Sequence, residues 1–228
     1  MSTERKLLVS ILKLTRTGPI EEKFASRDAG IPAQTAKEML SDFGRRGLVQ
    51  YGGNIVEVSS SQRFNLAIQA IKAGADLERV GRFLEWIEFE NIAAEAFEAN
   101  NFEVRRRFRF RWTGRRWEID VLAAREPLVV CVDCKRWRRG WARSAIAKAV
   151  EAQVERTHAL AAALPGLRKQ IKIVSWKRAV LVPAVLSLVS GSQKFYTKTP
   201  VVPILQLQNF VDELPAHLGT LTHLNVGF

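Results

Sequence analysis

Between Glu103 and Lys135 the chain reads EVRRRFRFRWTGRRWEIDVLAAREPLVVCVDCK, a stretch that few architectures can accommodate. Polar and apolar residues alternate at first, then the run turns continuously apolar. That is the period of β-strands, half-buried and then fully buried. Three strands are predicted, at about 103–112, 116–124 and 127–134, joined by "TG" and "REP". Joints this short permit only antiparallel neighbours. A helix over about 142–164 follows, closed by Pro165-Gly166, with further β-runs at about 171–175, 178–184 and 201–205 and a last helix at 207–214. Helix, three antiparallel strands, helix, strands is the order of an α/β sandwich around a central mixed sheet.

The first third of the chain has a different rhythm. Leu7, Leu8, Ile11, Leu12 and Leu14 give the 3- to 4-residue spacing of an amphipathic helix over 4–16, which "TGP" breaks. A second helix is predicted at 20–29, a turn at "AGIPAQ" and a third helix at 33–46. In that third helix Ala36, Met39, Leu40 and Phe43 share a face, leaving Gln34, Thr35, Lys37 and Arg45 elsewhere. "GLVQYGGNIVEVS" reads as a hairpin turning at Gly52-Gly53. This order resembles a winged helix over residues 1–60, which implies that Gln34, Thr35 and Lys37 face a DNA major groove. Residues 61–83 read as a helical connector, with one helix at 62–74 and Asp76 capping the next. That next helical stretch reaches about Asn100, with a break near Trp86. The remainder, 84–228, forms the α/β domain.

Charge then narrows the partners. With 35 Lys and Arg against 23 Asp and Glu, the formal charge is +12, which favours polyanions, nucleic acid before an acidic membrane surface. The opening segment is too interrupted for a secretory core, and no window approaches the ~18 apolar residues of a membrane span. Two cysteines make no disulfide framework. A cytoplasmic protein without a membrane partner is expected.

"CVDCKRW" admits several chemistries: a redox or zinc pair, the end of a buried strand, or an Asp-x-Lys beside a phosphate. Alternation along a strand puts Cys131, Asp133 and Lys135 on one face and Val132 and Cys134 on the other, so the cysteines point apart. A structural zinc wants about four ligands, and three scattered histidines supply no others. Asp133 and Lys135 remain, and antiparallel pairing around "REP" brings Asp120 of "WEID" to them. Two carboxylates at adjacent strand ends suit a hard divalent ion, with phosphate oxygens and waters completing its shell. The competing reading of the same spacing is a surface ion pair.

Four segments occur in a telling order: "FENIAAEAFEANNFEV", "WEIDVLA", "VVCVDCKRW" and "KAVEAQVERTHALA". Over about residues 84–215 they resemble the PD-(D/E)xK phosphodiesterase superfamily, especially its Mrr-like and archaeal Holliday-junction-resolvase-like members. The resemblance implies a restriction-endonuclease-like fold with Mg²⁺ or Mn²⁺ held by Asp120 and Asp133. Lys135 is then the catalytic lysine, Glu90 the first-helix acid that assists the ion or its water, and Gln153 the glutamine of the following helix. Glu88, read as an outward-facing helix residue, and Glu118, on the strand face of Asp120, stand in reserve. Cations for the backbone come from "RRRFRFRW", "GRRW" and "KRWRRGWAR", including Arg115, Arg116, Arg136, Arg138 and Arg139. Phe108, Phe110 and Trp112 read as core beneath this basic face. Trp137 and Trp141 are either loop residues or platforms on which a base stacks.

The function this implies is a metal-dependent DNA endonuclease docked by a winged helix. The alternative is a non-catalytic DNA-binding regulator on a nuclease scaffold, and RNA is a third class of partner. No Gly-x4-Gly-Lys-Ser/Thr loop is present, so no nucleotide cofactor is expected. Resolvases act as dimers, and "AVLVPAVLSLV" is either an interface for a second copy or a buried strand.

Overall fold

The structure is a computed structural model and describes residues 2–135, 142–187 and 194–228. It divides into two units, Met1–Glu88 and Phe89–Phe228.

The first unit runs α1 (Thr3–Leu14), β1 (Ile20–Glu21), α2 (Glu22–Ala29), α3 (Ala33–Arg45), β2 (Gln50–Gly52), β3 (Ile55–Glu57), α4 (Ser60–Lys72) and α5 (Leu77–Gly81). Leu7, Leu8, Ile11 and Leu12 are fully buried, as the spacing in α1 predicts. The second predicted helix starts two residues late, because Ile20 pairs with Val56 and makes β1 the edge of a small antiparallel sheet, β1–β3–β2. Gly30, at φ 61°, ends α2 in the left-handed conformation that glycine adopts without penalty. Ser59 and Gln62 form a reciprocal capping box at the start of α4, and the Asp76 side chain accepts the Arg79 N–H at 2.7 Å at the start of α5.

Helix α6 (Trp86–Ala99) spans the division and leads into β4 (Glu103–Trp112), β5 (Arg115–Arg125) and β6 (Leu128–Lys135). Then come α7 (Arg143–Ile171), β7 (Arg178–Ser187), β8 (Phe195–Tyr196), β9 (Thr199–Pro203), α8 (Leu207–His217) and β10 (Leu224–Gly227). The sheet order is β4–β5–β6–β7–β9–β8, with β10 also on β7. Strands β4 to β6 are antiparallel, whereas β6–β7 and β7–β9 are parallel, so this is a mixed sheet. Helix α7 makes the crossover that a parallel pair requires. Its Leu160 and Leu164 pack with Phe108, Phe110, Ile119, Leu122, Cys131 and Leu181 in the main core.

Several local expectations fail for physical reasons. Helix α7 passes through Pro165-Gly166 to Ile171, since its buried face continues and packing outweighs the lost N–H. Residues 171–175 are consequently a helix end and turn, not a strand. Arg168 closes that end by donating to the carbonyls of Val174 and Trp176. Trp112 is 39 % exposed at the hairpin end, whereas Phe108 and Phe110 are core. The apolar run from Ala179 is strand β7, buried in the sheet interior and not a surface for a second copy. Pro183 is tolerated there because β10 pairs only through Leu181 and β9 only from Val185, so no ladder partner on that edge needs its N–H.

Candidate active site

Strands β5 and β6 place the two aspartates together. The β5–β6 ladder ends at Val121 opposite Val132, and Asp120 and Asp133 are the next residue of each strand, close enough that the charge of Asp133 acts on Asp120. Asp120 Oδ2 accepts the backbone N–H of Cys134 at 2.8 Å. Burial pushes the Asp120 carboxyl up to about 6; the Cys134 N–H opposes this, and the negative charges of Asp133 and Glu90 add to it. Among the described residues Asp120 makes no ion pair.

Asp133 is 4 % exposed and heavily counter-charged. Its Oδ1 accepts from Lys135 Nζ at 3.0 Å and from Arg156 Nη1 at 2.9 Å, and Nζ also lies 2.8 Å from Oδ2. Gln153, on α7, is fully buried; its Nε2 donates to the Cys131 carbonyl at 2.7 Å, and its Oε1 accepts from Arg156 at 3.3 Å. Asp120, Asp133, Lys135 and Gln153 therefore lie together at the C-terminal end of β6; Asp120 is at the middle of β5 and not at its end, because β5 runs on past it into the hairpin with β4.

Glu90 joins them from α6. It is 2 % exposed and accepts from Arg107 Nε at 2.8 Å. Arg107 has φ 50°, in the left-handed region that costs a non-glycine residue about 1–3 kcal/mol. The β4–β5 ladder is interrupted there: bridges run Arg106↔Val121 and then Phe108↔Ile119, omitting Arg107 and the facing Asp120. The Arg107 guanidinium is pushed up chiefly by its Glu90 bond, with further contributions from Glu118 and Asp120. Strict alternation does not survive the interruption, since Ile119, Leu122 and Ala124 all enter one core cluster. A distorted step therefore sits at the aspartate whose direction matters most.

The reserve candidates fare differently. Glu88 does not face outward: it is 4 % exposed, paired with Arg63 at 2.5 Å, and accepts the Glu85 N–H. A helix N-terminus draws a carboxylate inward to cap it, which the outward-facing reading overlooked. Glu118 pairs with exposed Arg109 at 2.6 Å. Both cysteines are free and buried, and burial pushes the Cys131 thiol up to about 12 and the Cys134 thiol well above its usual range. Such thiols are poor nucleophiles and metal ligands.

Of the proposed DNA contacts, Gln34, Lys37 and Arg45 are exposed on α3 and Thr35 half-buried, with Gln34 bonded to Glu38 and Arg45 to Asp42. Arg115 and Arg116 are exposed on β5; Arg115 stacks over Trp117 and pairs with Glu155. Arg136, Arg138, Arg139, Trp137 and Trp141 lie outside the described residues. Sequence reasoning missed Arg156 and Arg107. Arg156 was findable: it stands three residues after Gln153, one helical turn along the same face. Arg107 is the third of three consecutive arginines, and nothing distinguishes it in sequence.

The donor set can be tested against a divalent ion. Among the described residues no group of three or more His, Cys, Asp and Glu side chains converges to hold a metal. Asp120 and Asp133 do converge, but Glu90, expected as a third ligand, forms no group with them; among the described residues Asp120 makes no ion pair, and Lys135 acts on it only through its charge. The aspartate pair fits a hard cation taking its other ligands from water and phosphate.

The Mrr catalytic-domain family, described as restriction endonuclease, matches residues 82–164, the segment that contains Glu90, Asp120, Asp133, Lys135 and Gln153. That segment, 82–164, is a restriction endonuclease domain of the Mrr type. The endonuclease match contains Asp120, Asp133 and Lys135 in the order of a PD-(D/E)xK site, a type that generally uses divalent metal ions. An uncharacterized protein of Archaeoglobus fulgidus is 30 % identical over 136 residues, 60 % of this chain and 96 % of that one. Among solved structures, the chain is similar to protein VC1899 from Vibrio cholerae, at 12 % identity and TM-score 0.39. It is also similar to restriction endonuclease FokI, at 15 % identity and TM-score 0.41. The matches cover 95 % and 96 % of this chain but 51 % and 44 % of those, so the chain spans about half their length. No helix among the described residues is long and apolar enough to cross a membrane.

Proposed function

We propose that this chain is a metal-dependent DNA endonuclease, Mrr-like or junction-resolvase-like. The observation that carries the reading is the meeting of Asp120 and Asp133 on adjacent strands with Lys135 bonded to the second carboxylate. Asp120 and Asp133 would hold Mg²⁺ or Mn²⁺. When bound, such an ion polarises the scissile phosphate and lowers the pKa of a coordinated water. Lys135 orients the attacking water and offsets charge gathering on the phosphate oxygens. Glu90, tied to Arg107, adds negative potential beside the ion and its water. Gln153 fixes the end of β6 through the Cys131 carbonyl and so holds the Asp-x-Lys segment in place.

The first unit, read as a winged helix, would dock on duplex DNA. Its α3 carries Gln34, Thr35, Lys37 and Arg45 for the major groove. Arg115 and Arg116 would meet phosphates beside the catalytic site, and the +12 charge would draw the whole chain to DNA.

The test is cleavage of supercoiled plasmid, linear duplex, single strand, flap and four-way junction with Mg²⁺ or Mn²⁺. Asp120→Ala and Lys135→Ala are expected to abolish cutting while sparing duplex binding. Cleavage that survives Asp120→Ala overturns the metal assignment. Tight binding without cutting on every substrate would make the chain a DNA-binding protein on a nuclease scaffold.

A further inference from the structure

The two aspartates are counter-charged unequally. Lys135 and Arg156 both bond to Asp133, whereas Asp120 receives a backbone N–H and, among the described residues, no cation. For carboxylates that bind one divalent ion together this is an odd distribution. Each cation on Asp133 competes with the ion for the same oxygens.

The two cations differ in their partners. Lys135, on the same strand as Asp133 and with its side chain 31 % exposed, bonds to that aspartate, with no second acceptor among the described residues. Arg156 comes from α7 with its side chain 28 % exposed, and Nη1 lies between two acceptors, Asp133 Oδ1 at 2.9 Å and Gln153 Oε1 at 3.3 Å. The second acceptor is fixed in position. Gln153 is fully buried and its Nε2 is held by the Cys131 carbonyl, which leaves Oε1 facing the arginine. A guanidinium that leaves Asp133 therefore keeps a hydrogen bond in the protein. Its five N–H donors in a planar fork also match a phosphate.

We propose that Arg156 is a positioning residue that couples metal binding to DNA binding. Without DNA it occupies Asp133; an arriving backbone phosphate draws it off, onto Gln153 and the phosphate, and relieves Asp133 of one of its two competing cations, so that the carboxylate takes the divalent ion more readily. This rests on the nuclease reading above and adds an order to it, with DNA preceding the ion. The protein without DNA then binds divalent ions weakly, and nicking cofactors are not held idle.

The experiment titrates the full chain with Mn²⁺, following the free ion by electron paramagnetic resonance. It is run with and without a phosphorothioate duplex that resists cleavage. The wild type is expected to bind Mn²⁺ weakly alone and more tightly with the duplex. Arg156→Gln removes the competing cation and is expected to tighten DNA-free binding about tenfold, the scale on which one neighbouring charge moves a carboxylate. The duplex should then add little. Arg156→Lys keeps the charge and should retain the duplex dependence. The proposal falls if Arg156→Gln binds Mn²⁺ no tighter than wild type, or if the duplex improves binding equally in both. Asp120→Asn separates the two readings. If it loses Mn²⁺ binding while Arg156→Gln behaves as wild type, only the coupling is wrong; if it binds Mn²⁺ normally, the metal site itself is wrong and the coupling fails with it.

Discussion

At the scale of single residues, burial sets two carboxylates against each other. Glu88 is buried with a full complement of partners. Arg63 donates to it at 2.5 Å, and also to the Leu12 and Phe83 carbonyls and Thr15 Oγ1. Both side chains are 5 % exposed, so removing one leaves a stranded charge. Arg63→Met is expected to cost about 3–5 kcal/mol in urea unfolding, and the double change Arg63→Met with Glu88→Leu to recover much of it. Asp120 is the opposite case, a half-buried carboxylate that makes no ion pair among the described residues. Its carboxyl titrates at about 6 in the fold against an ordinary 3.8, so the folded state holds the proton more tightly. The stability from Asp120 is thus fully present below about pH 4 and is lost as pH rises through about 6. With divalent ions chelated, melting temperature should fall across that window, and Asp120→Asn should flatten the fall. An unchanged slope in Asp120→Asn would place the titrating group elsewhere.

At the scale of elements, α7 departs furthest from expectation. Pro165 leaves the Ala161 carbonyl without its helical partner, so Pro165→Ala should stabilise the chain by about 1–3 kcal/mol, read as a higher urea midpoint at constant slope. A lower midpoint would mean that the proline ring itself fills core space. The Pro-Gly pair looks like a helix end because local preference is all that sequence displays; the apolar face that carries α7 onward depends on strands distant along the chain. The three strands from Glu103 to Lys135 were legible to within a residue or two, since alternation and the Thr113-Gly114 joint are both local signals. Strands β8 and β10 are short edges without such signals, and they exist only through their pairing with β9 and β7. The site divides along the same line. Asp120, Asp133 and Lys135 follow from strand alternation and pairing, Gln153 came only with the family resemblance, and Arg156 follows from Gln153 by helical spacing. The left-handed turn at Arg107 had no local signature, and with it went the true facing of every side chain nearby.

At the scale of the whole molecule, charge governs behaviour. A chain of formal charge +12 that releases counterions on binding should lose DNA affinity steeply with salt. Each phosphate contact contributes about 0.9 to the slope of log K against log salt, so Lys37→Ala and Arg116→Ala are each expected to lower it by about one. A variant with an unchanged slope makes no phosphate contact at that position. The interrupted step in the β4–β5 hairpin has a bearing on this surface. Beyond it, Phe108, Phe110 and Ile119 anchor the hairpin to the core, and past them residues 111–116 project exposed, with arginines at 111, 115 and 116. Nothing in that tip touches the register that brings Asp120 to Asp133. Apart from the Arg115–Glu155 pair that ties it to α7, the tip can therefore be shortened, lengthened or exchanged in pairs of residues while the proposed cutting centre keeps its register. Reach and grip on a substrate become a replaceable part, separable from the chemistry, for selection or for an engineer.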